Sequence, residues 1–188
     1  MQRMNVPIDV RRGRRQLLLI VAVFFAPMLL AAILALSGWV PSARSHGQPI
    51  VPQESFAGLK VSLADGKNWP WKAATPQYTL MALVGPDCAA ACLYKLYMLH
   101  NAQVGLNKSS KNLRLLYVGA APVVADTHGA LQSWMLGQTR AAALLRFVPK
   151  PADQIAVILV AADGTAVVYY PPAVSVIDIN KDLRRLFK

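Results

Sequence analysis

Two cysteines, Cys88 and Cys92, are the residues best suited to chemistry in this chain, and they are its only cysteines. They follow an apolar run, residues 78–84, which predicts a short buried strand closed by a Gly-Pro breaker. Apolar residues then recur at three- and four-residue steps, which predicts a helix with Asp87 at its N-cap. The sequence therefore places a CxxxC pair at the start of a helix.

The spacing of the two cysteines permits several kinds of chemistry. Residues four apart on a helix lie on one side with Cβ atoms about 5–6 Å apart. A disulfide needs Cα atoms about 4.4–6.8 Å apart, so the pair can close with little backbone movement. The free N–H groups and the helix dipole would lower a thiol pKa and favour the reactive thiolate. Two thiolates also suit Cu(I). A structural disulfide, or two inert buried thiols, is the alternative interpretation.

The N-terminal part of the chain has the pattern of a membrane anchor. Residues 17–40 contain no charged residue, and crossing a hydrocarbon core takes about 20 residues. Five arginines precede this stretch, and Trp39 near its end fits an interfacial anchor. The positive-inside rule then predicts a single-pass protein of a bacterial inner membrane, with its N-terminus in the cytoplasm and its C-terminal domain in the periplasm. A cleaved signal peptide is the alternative, but its apolar region would be shorter.

Composition and charge complete the domain organisation of the 188-residue chain. We expect a basic cytoplasmic tail over 1–16, the anchor over 17–40, a linker rich in small, polar and proline residues over 41–54, and one domain over 55–188. The net charge is +11, but the basic residues form no stripe interleaved with aromatics. Nucleic acid is therefore excluded as a partner, since an exported domain would not meet it.

The domain reads as an alternation of strands and helices. Further strands are predicted at 113–118, 155–160 and 165–170, with helices over about 129–145 and 178–188. Right-handed crossovers and an antiparallel last pair would give an α/β domain with a mixed four-stranded sheet flanked by helices.

This order, with cysteines at the first strand–helix junction, resembles the thioredoxin fold over about residues 55–188. The anchor, the CxxxC spacing and the hairpin sequence at 161–171 are more similar to the Sco/SenC group of that fold. The resemblance implies copper delivery or thiol maintenance during cytochrome c oxidase assembly. It also implies a protein partner, either an oxidase subunit or an assembly factor.

One departure from the Sco/SenC pattern concerns the third copper ligand. In that group a histidine just before the third strand joins the two cysteines, whereas residues 151–155 here contain none. His128, on the loop after the second strand, would reach the same sheet edge and is the candidate replacement. Pro149 or Pro151 is the candidate for a cis peptide bond facing the site.

The sequence thus supports three functions. The first is thiol–disulfide exchange, an oxidoreductase activity in which Cys88, expected to be the more exposed sulfur, and Cys92 are the catalytic residues. The second is a Cu(I) carrier with Cys88, Cys92 and His128 as metal ligands. The third is a non-catalytic assembly or binding module with a fixed disulfide.

Overall fold

The computed structural model describes residues 10–36, 45–72, 75–126 and 129–188. The chain divides into two units, Met1–Arg44 and Ser45–Lys188. The first unit contains helix α1 (Val10–Leu36), in which large apolar side chains such as Phe24 and Phe25 are exposed. Within the described residues, no helix reaches the combination of length and apolar character that a bilayer crossing requires.

The second unit is an α/β domain. Its helices are α2 (Ala90–Val104), α3 (Ala142–Leu145) and α4 (Val176–Leu186), and a 3₁₀ helix covers Asn107–Asn112. Its strands are β1 (Gln48–Ser55), β2 (Ser62–Leu63), β3 (Tyr78–Val84), β4 (Leu113–Val118), β5 (Met135–Gln138), β6 (Ile155–Val160) and β7 (Thr165–Tyr170).

The strands form one mixed sheet in the order β1-β7-β6-β3-β4-β5-β2. Strand β3 pairs parallel with β4 and antiparallel with β6. The predicted α/β architecture and its strands β3, β4, β6 and β7 are confirmed. The predicted number of four strands is wrong, because three further strands extend the sheet at its two edges.

The helix predicted over 129–145 is wrong. Residues Met135–Gln138 form strand β5, paired in parallel with β4, and only Ala142–Leu145 form a helix. Gly137 explains the difference: a glycine in a helix interior costs about 1 kcal/mol relative to alanine. In the strand it lies against Val61, where a Cβ would come within 2.7 Å of the valine side chain.

Most of strand β1 lies in the segment 41–54, for which the sequence predicts a linker. Strand β1 pairs antiparallel with β7, although the sequence predicts a linker over 41–54. Just before β1, the backbone N–H and the Nδ1 of His46 lie 2.7 and 3.0 Å from the carboxylate of Asp182 in α4, and Ser45 Oγ donates to the same carboxylate at 2.9 Å. These bonds join the start of the second unit to its last helix, a long-range contact that a proline-rich composition does not reveal.

Two apolar cores lie on the two faces of the sheet. On one face α2 and α4 pack against β3, β4 and β6 through residues such as Leu96 and Leu183. On the other face Phe56, Trp69 and Trp71 cover the sheet, together with Leu144 of α3. Both cysteines belong to the first of these cores.

The sheet brings three loops to one edge. Parallel strands β3 and β4 both end there, and β6 begins there because Ile155 pairs with Val84. The loops after β3, after β4 and before β6 therefore meet. Gly85 fixes the closest approach: its N–H donates to the carbonyl of Gln154 at 3.0 Å, and a Cβ would lie 2.6 Å from the carbonyl oxygen of Pro151.

We expect Gly85→Ala to destabilise the domain by about 1–3 kcal/mol, since overpacking forces the backbone of the neighbouring loop to move. The measurement is denaturant unfolding of the full chain with its disulfide intact. Gly58→Ala is the matched control, because a Cβ at Gly58 meets no atom within 4 Å, and its effect should stay within about 0.5 kcal/mol. Equal effects of the two substitutions would contradict this account of the edge.

Candidate functional site

Cys88 and Cys92 form a disulfide across the turn that begins α2. Their Cα atoms are 5.2 Å apart, inside the range that a disulfide requires. Cys88 lies in the loop after β3, and Cys92 lies in the first turn of the helix. The sequence-based expectation that CxxxC spacing allows the pair to close is confirmed.

The expectation that Cys88 is exposed is wrong. Cys88 has 0% of its surface exposed and Cys92 has 1%. The loop after β4 lies against the first cysteine, where the N–H of Val123 donates to the carbonyl of Cys88 at 3.0 Å. Periodicity places a residue on a helix face, but it does not show that a loop from another strand covers that face.

The helix N-terminus is capped from a distant part of the chain. Asp87 is not the N-cap: α2 begins after Ala89, which makes no side-chain cap. Instead the carboxylate of Asp153, in the loop before β6, accepts N–H bonds from Ala89 at 2.8 Å, Ala91 at 3.0 Å and Cys92 at 2.8 Å. Asp87 in turn accepts the backbone N–H of Asp153 at 2.7 Å. Two aspartates therefore bind the β3–α2 loop and the loop before β6 to each other.

This contact changes the electrostatics predicted for the thiols. Partial burial alone would raise the pKa of the Asp153 carboxyl, but the N–H groups of Cys92, Ala91 and Ala89 outweigh it and lower the pKa below its ordinary value. The carboxylate is charged at neutral pH and occupies the N–H donors that would otherwise stabilise a thiolate. Asp153 therefore opposes the lowering of the thiol pKa that the helix dipole alone would produce.

A cleft of about 310 Å³ lies beside Cys92. It is lined by Cys92, Lys95, Asp153 and neighbouring residues of the loops before β6 and after β7. The ammonium of Lys95 donates to the carbonyl of Pro172 at 2.8 Å, and burial lowers its pKa. Lys95 lies one helical turn after Cys92, so its charge partly offsets that of Asp153.

The turn into β6 is built without the expected cis proline. Among the described residues the cis peptide bond is Val51–Pro52, so the expectation for Pro149 or Pro151 is wrong. The chain instead turns through Asp153 itself, which has a φ of 54° in the left-handed region. Aspartate is among the few residues that tolerate this conformation.

The described residues do not fit a three-donor copper site. They contain no group of three or more His, Cys, Asp and Glu side chains placed to hold a metal ion. Both sulfurs are engaged in the disulfide, and the oxygens of Asp153 are hard donors that Cu(I) does not favour. His128, the predicted third ligand, lies outside the described residues.

Asp153→Asn should lower the unfolding free energy at neutral pH by about 0.5–2 kcal/mol, because the amide has one acceptor oxygen where the carboxylate uses two, and because the charge at the helix N-terminus is lost. A carboxyl whose pKa falls on folding contributes fully above its unfolded value of about 3.9, and the contribution is lost as pH falls through the folded pKa. The difference between the wild-type chain and Asp153→Asn should thus disappear in acid.

Denaturant unfolding across the acid range measures this difference. Asp65→Asn is the control, because Asp65 lies in an exposed turn away from α2. A deficit of Asp153→Asn that stays constant into acid would contradict a charged cap.

No curated protein matches the sequence. The solved structures with a similar fold include Arabidopsis thaliana ScoI with copper bound (13% identity, 74% of this chain and 96% of that chain, TM-score 0.48). They also include BsSco, described as a member of the Sco family of cytochrome c oxidase assembly proteins (16% identity, 79% of this chain and 98% of that chain, TM-score 0.47). A third is a thiol:disulfide interchange protein from Bacteroides sp. (13% identity, 76% of this chain and 91% of that chain, TM-score 0.48).

Two family models match the chain itself. Residues 7–37 match the transmembrane-like N-terminal domain, and residues 78–188 match the transmembrane-like, thioredoxin-like C-terminal domain. The second match spans β3 to the C-terminus and includes both cysteines and Asp153. The chain therefore belongs to the family of transmembrane-like proteins with a thioredoxin-like C-terminal domain.

Proposed function

We propose that this protein is a thiol–disulfide oxidoreductase that keeps cysteines of a partner protein reduced. The observation that carries the proposal is the Cys88–Cys92 disulfide at the start of α2, on the sheet edge where three loops meet. Cys92 is among the residues that line a cleft at that edge, and we propose that a partner approaches the pair from this cleft.

The proposed reaction moves two electrons from the reduced cysteine pair to a partner disulfide. One cysteine thiolate attacks a partner sulfur, the partner disulfide breaks, and a mixed disulfide forms. The other cysteine thiolate then attacks the mixed disulfide and releases the second partner thiol. The products are the Cys88–Cys92 disulfide and two partner thiols, and a dithiol protein must reduce the pair again.

The charge of Asp153 supports this direction of transfer. A carboxylate that occupies the N–H donors of the α2 N-terminus disfavours the thiolate forms of Cys88 and Cys92 relative to the disulfide. When the disulfide is favoured over the two thiolates, the reduced cysteine pair gives up its electrons more readily.

A non-catalytic module with a fixed disulfide is the second candidate, and the burial of both cysteines favours it. Exchange by a buried pair requires that the loop over Cys88 opens, or that the partner thiol enters through the cleft beside Cys92. A fixed disulfide requires neither, so the two functions differ in whether the pair can be reduced within the folded protein.

The setting of the proposed activity is a membrane surface. Residues 17–40 would form the anchor, with the N-terminus cytoplasmic and the second unit in the periplasm of a bacterial inner membrane. The uncharged sequence, the match of 7–37 to a transmembrane-like domain and the exposed apolar side chains of α1 support the anchor. The orientation rests on the five arginines that precede it and on the positive-inside rule. A role in cytochrome c oxidase assembly is proposed only from the sequence resemblance to the Sco/SenC group. The alternative role, copper carriage by the reduced cysteine pair, has the same basis.

If the pair exchanges, its midpoint potential should lie above about −300 mV, the upper bound typical of structural disulfides. The measurement is equilibration of the full chain in thiol–disulfide buffers of graded potential, followed by thiol alkylation and mass spectrometry. Cys88→Ser, which cannot form the disulfide, gives the baseline. A midpoint below that bound would overturn exchange and leave the fixed disulfide.

Asp153→Asn should lower the pKa of the thiols in the reduced protein. The reason is that the substitution removes a negative charge bound to the N–H of Cys92. Lys95→Gln is the matched variant that removes a positive charge instead. It should raise the thiol pKa, because the lost cation lies one helical turn from Cys92. Ultraviolet absorbance of the thiolate against pH measures both shifts. Shifts of the same sign in the two variants would show that unfolding of the turn, and not charge, controls the thiols.

A further inference from the structure

The exposed side of α4 carries a stripe of positive charge. Four basic residues and one apolar residue recur there at three- and four-residue steps, which places them on one side of the helix. We call them the basic face: Ile177, Lys181, Arg184, Arg185 and Lys188. All five are exposed, whereas Ile179 and Leu183 on the other side of α4 are buried in the core.

The two carboxylates of α4 do not cancel this charge. Asp178 and Asp182 each pair with one cation of the basic face. The side chain of Asp182 is only 8% exposed, so its charge lies mainly inside the protein. Arg184 and Lys188 form no ion pair with any described residue. The surface that α4 presents to solvent is therefore positive.

The 3₁₀ helix extends the positive surface beyond α4. Ser109 Oγ donates to the carbonyl of Phe187 at 3.3 Å, so the 3₁₀ helix lies against the end of α4. Lys108 is exposed on this helix, and residues 105–112 contain no Asp or Glu. The positive surface is therefore wider than one helix, and acidic residues do not interrupt it at this end.

The chain enters the second unit at α4. Ser45 Oγ and the backbone N–H of His46 donate to the carboxylate of Asp182, in the middle of the helix. Four residues, 41–44, separate Ser45 from the anchor proposed over 17–40. Even when fully extended, the chain from residue 40 to residue 45 spans at most about 18 Å. A short tether of this kind raises the effective concentration of α4 at a bilayer, so a modest attraction is sufficient to hold it there.

We propose that the basic face docks on anionic phospholipid headgroups of the bilayer that holds the anchor. This inference rests on the anchor of the proposed function and not on the chemistry of the cysteines. The headgroup phosphates attract the four cations, and Ile177 enters the boundary between headgroups and acyl chains, as apolar residues of interfacial helices do. An acidic protein is the other class of partner that suits such a face. The tether favours the bilayer, because the bilayer is already within reach.

The test uses the full chain, with its disulfide intact, in nanodiscs that contain a lipid with a nitroxide quencher on its headgroup. A fluorophore is attached at Ile177→Cys. Its quenching should be about twofold or more stronger in nanodiscs with phosphatidylglycerol than in nanodiscs of phosphatidylcholine alone. The difference should be lost when ionic strength rises from about 0.1 M to about 1 M, because the Debye length falls from about 10 Å to about 3 Å.

Leu145→Cys gives the matched label position. Leu145 and Ile177 are both 65% exposed, but Leu145 belongs to α3, which packs on the opposite face of the sheet. Proximity through the tether alone would affect both labels. Docking through α4 should make only the label at position 177 respond to lipid charge.

Charge variants of the chain labelled at position 177 locate the contact. Arg184→Gln with Arg185→Gln should lower the ratio of docked to undocked protein by about tenfold or more, because two cations leave the contact. Lys60→Gln with Arg140→Gln is the matched pair, since it removes two exposed cations outside α4. This second pair should leave the quenching unchanged. Circular dichroism of both pairs checks that the domain remains folded.

Equal responses of the two labels, equal quenching in the two lipids, or equal effects of the two pairs of substitutions would each overturn the proposal. Salt-sensitive binding of polyglutamate to the basic face without any lipid dependence would assign the face to an acidic protein instead. A chain that does not assemble into nanodiscs would contradict the anchor and this proposal together. A midpoint potential below about −300 mV would overturn thiol exchange alone and leave docking in place.

Discussion

The carboxylate of Asp153 at the N-terminus of α2 is the contact on which the site depends. The first N–H groups of a helix have no partner within the helix, and here one side chain accepts three N–H groups of the turn that bears the disulfide. Because Asp153 is more than 60 residues away in sequence, the contact also joins the β3–α2 loop to the loop before β6. The position of the cysteines and their electrostatics thus have one physical origin.

The sheet makes that contact possible. Strands β3 and β6 are antiparallel neighbours, so the end of one and the start of the other lie side by side at one edge. Gly85 permits the two loops to approach within a distance that a side chain would prevent. The parallel pairing of β3 with β4 adds the third loop, which carries Val123 over Cys88. The burial of the disulfide is therefore a consequence of topology as much as of hydrophobicity.

The sequence could predict those parts of the fold that local patterns determine. The strands Tyr78–Val84 and Ile155–Val160 have buried side chains on both faces of the sheet. Their sequences are therefore continuous apolar runs, which predict strands. Met135–Gln138 is short and mostly exposed, and its strand is determined by pairing with β4. The cysteine pair was predictable from its spacing. The role of Asp153 was not, because its partners are backbone N–H groups that no side-chain pattern marks.

The two ends of the sheet differ in how their buried polar groups are satisfied. At the cysteine edge, donors and acceptors match: the N–H groups of α2 meet Asp153, and the N–H of Asp153 meets Asp87. At the opposite edge, the buried Nε1 of Trp69 and Nε of Arg114 have no hydrogen-bond partner among the described residues. A fully satisfied network stabilises one arrangement, whereas unpaired donors are unfavourable until an acceptor arrives. At the cysteine edge these bonds therefore hold together the two loops on either side of the disulfide.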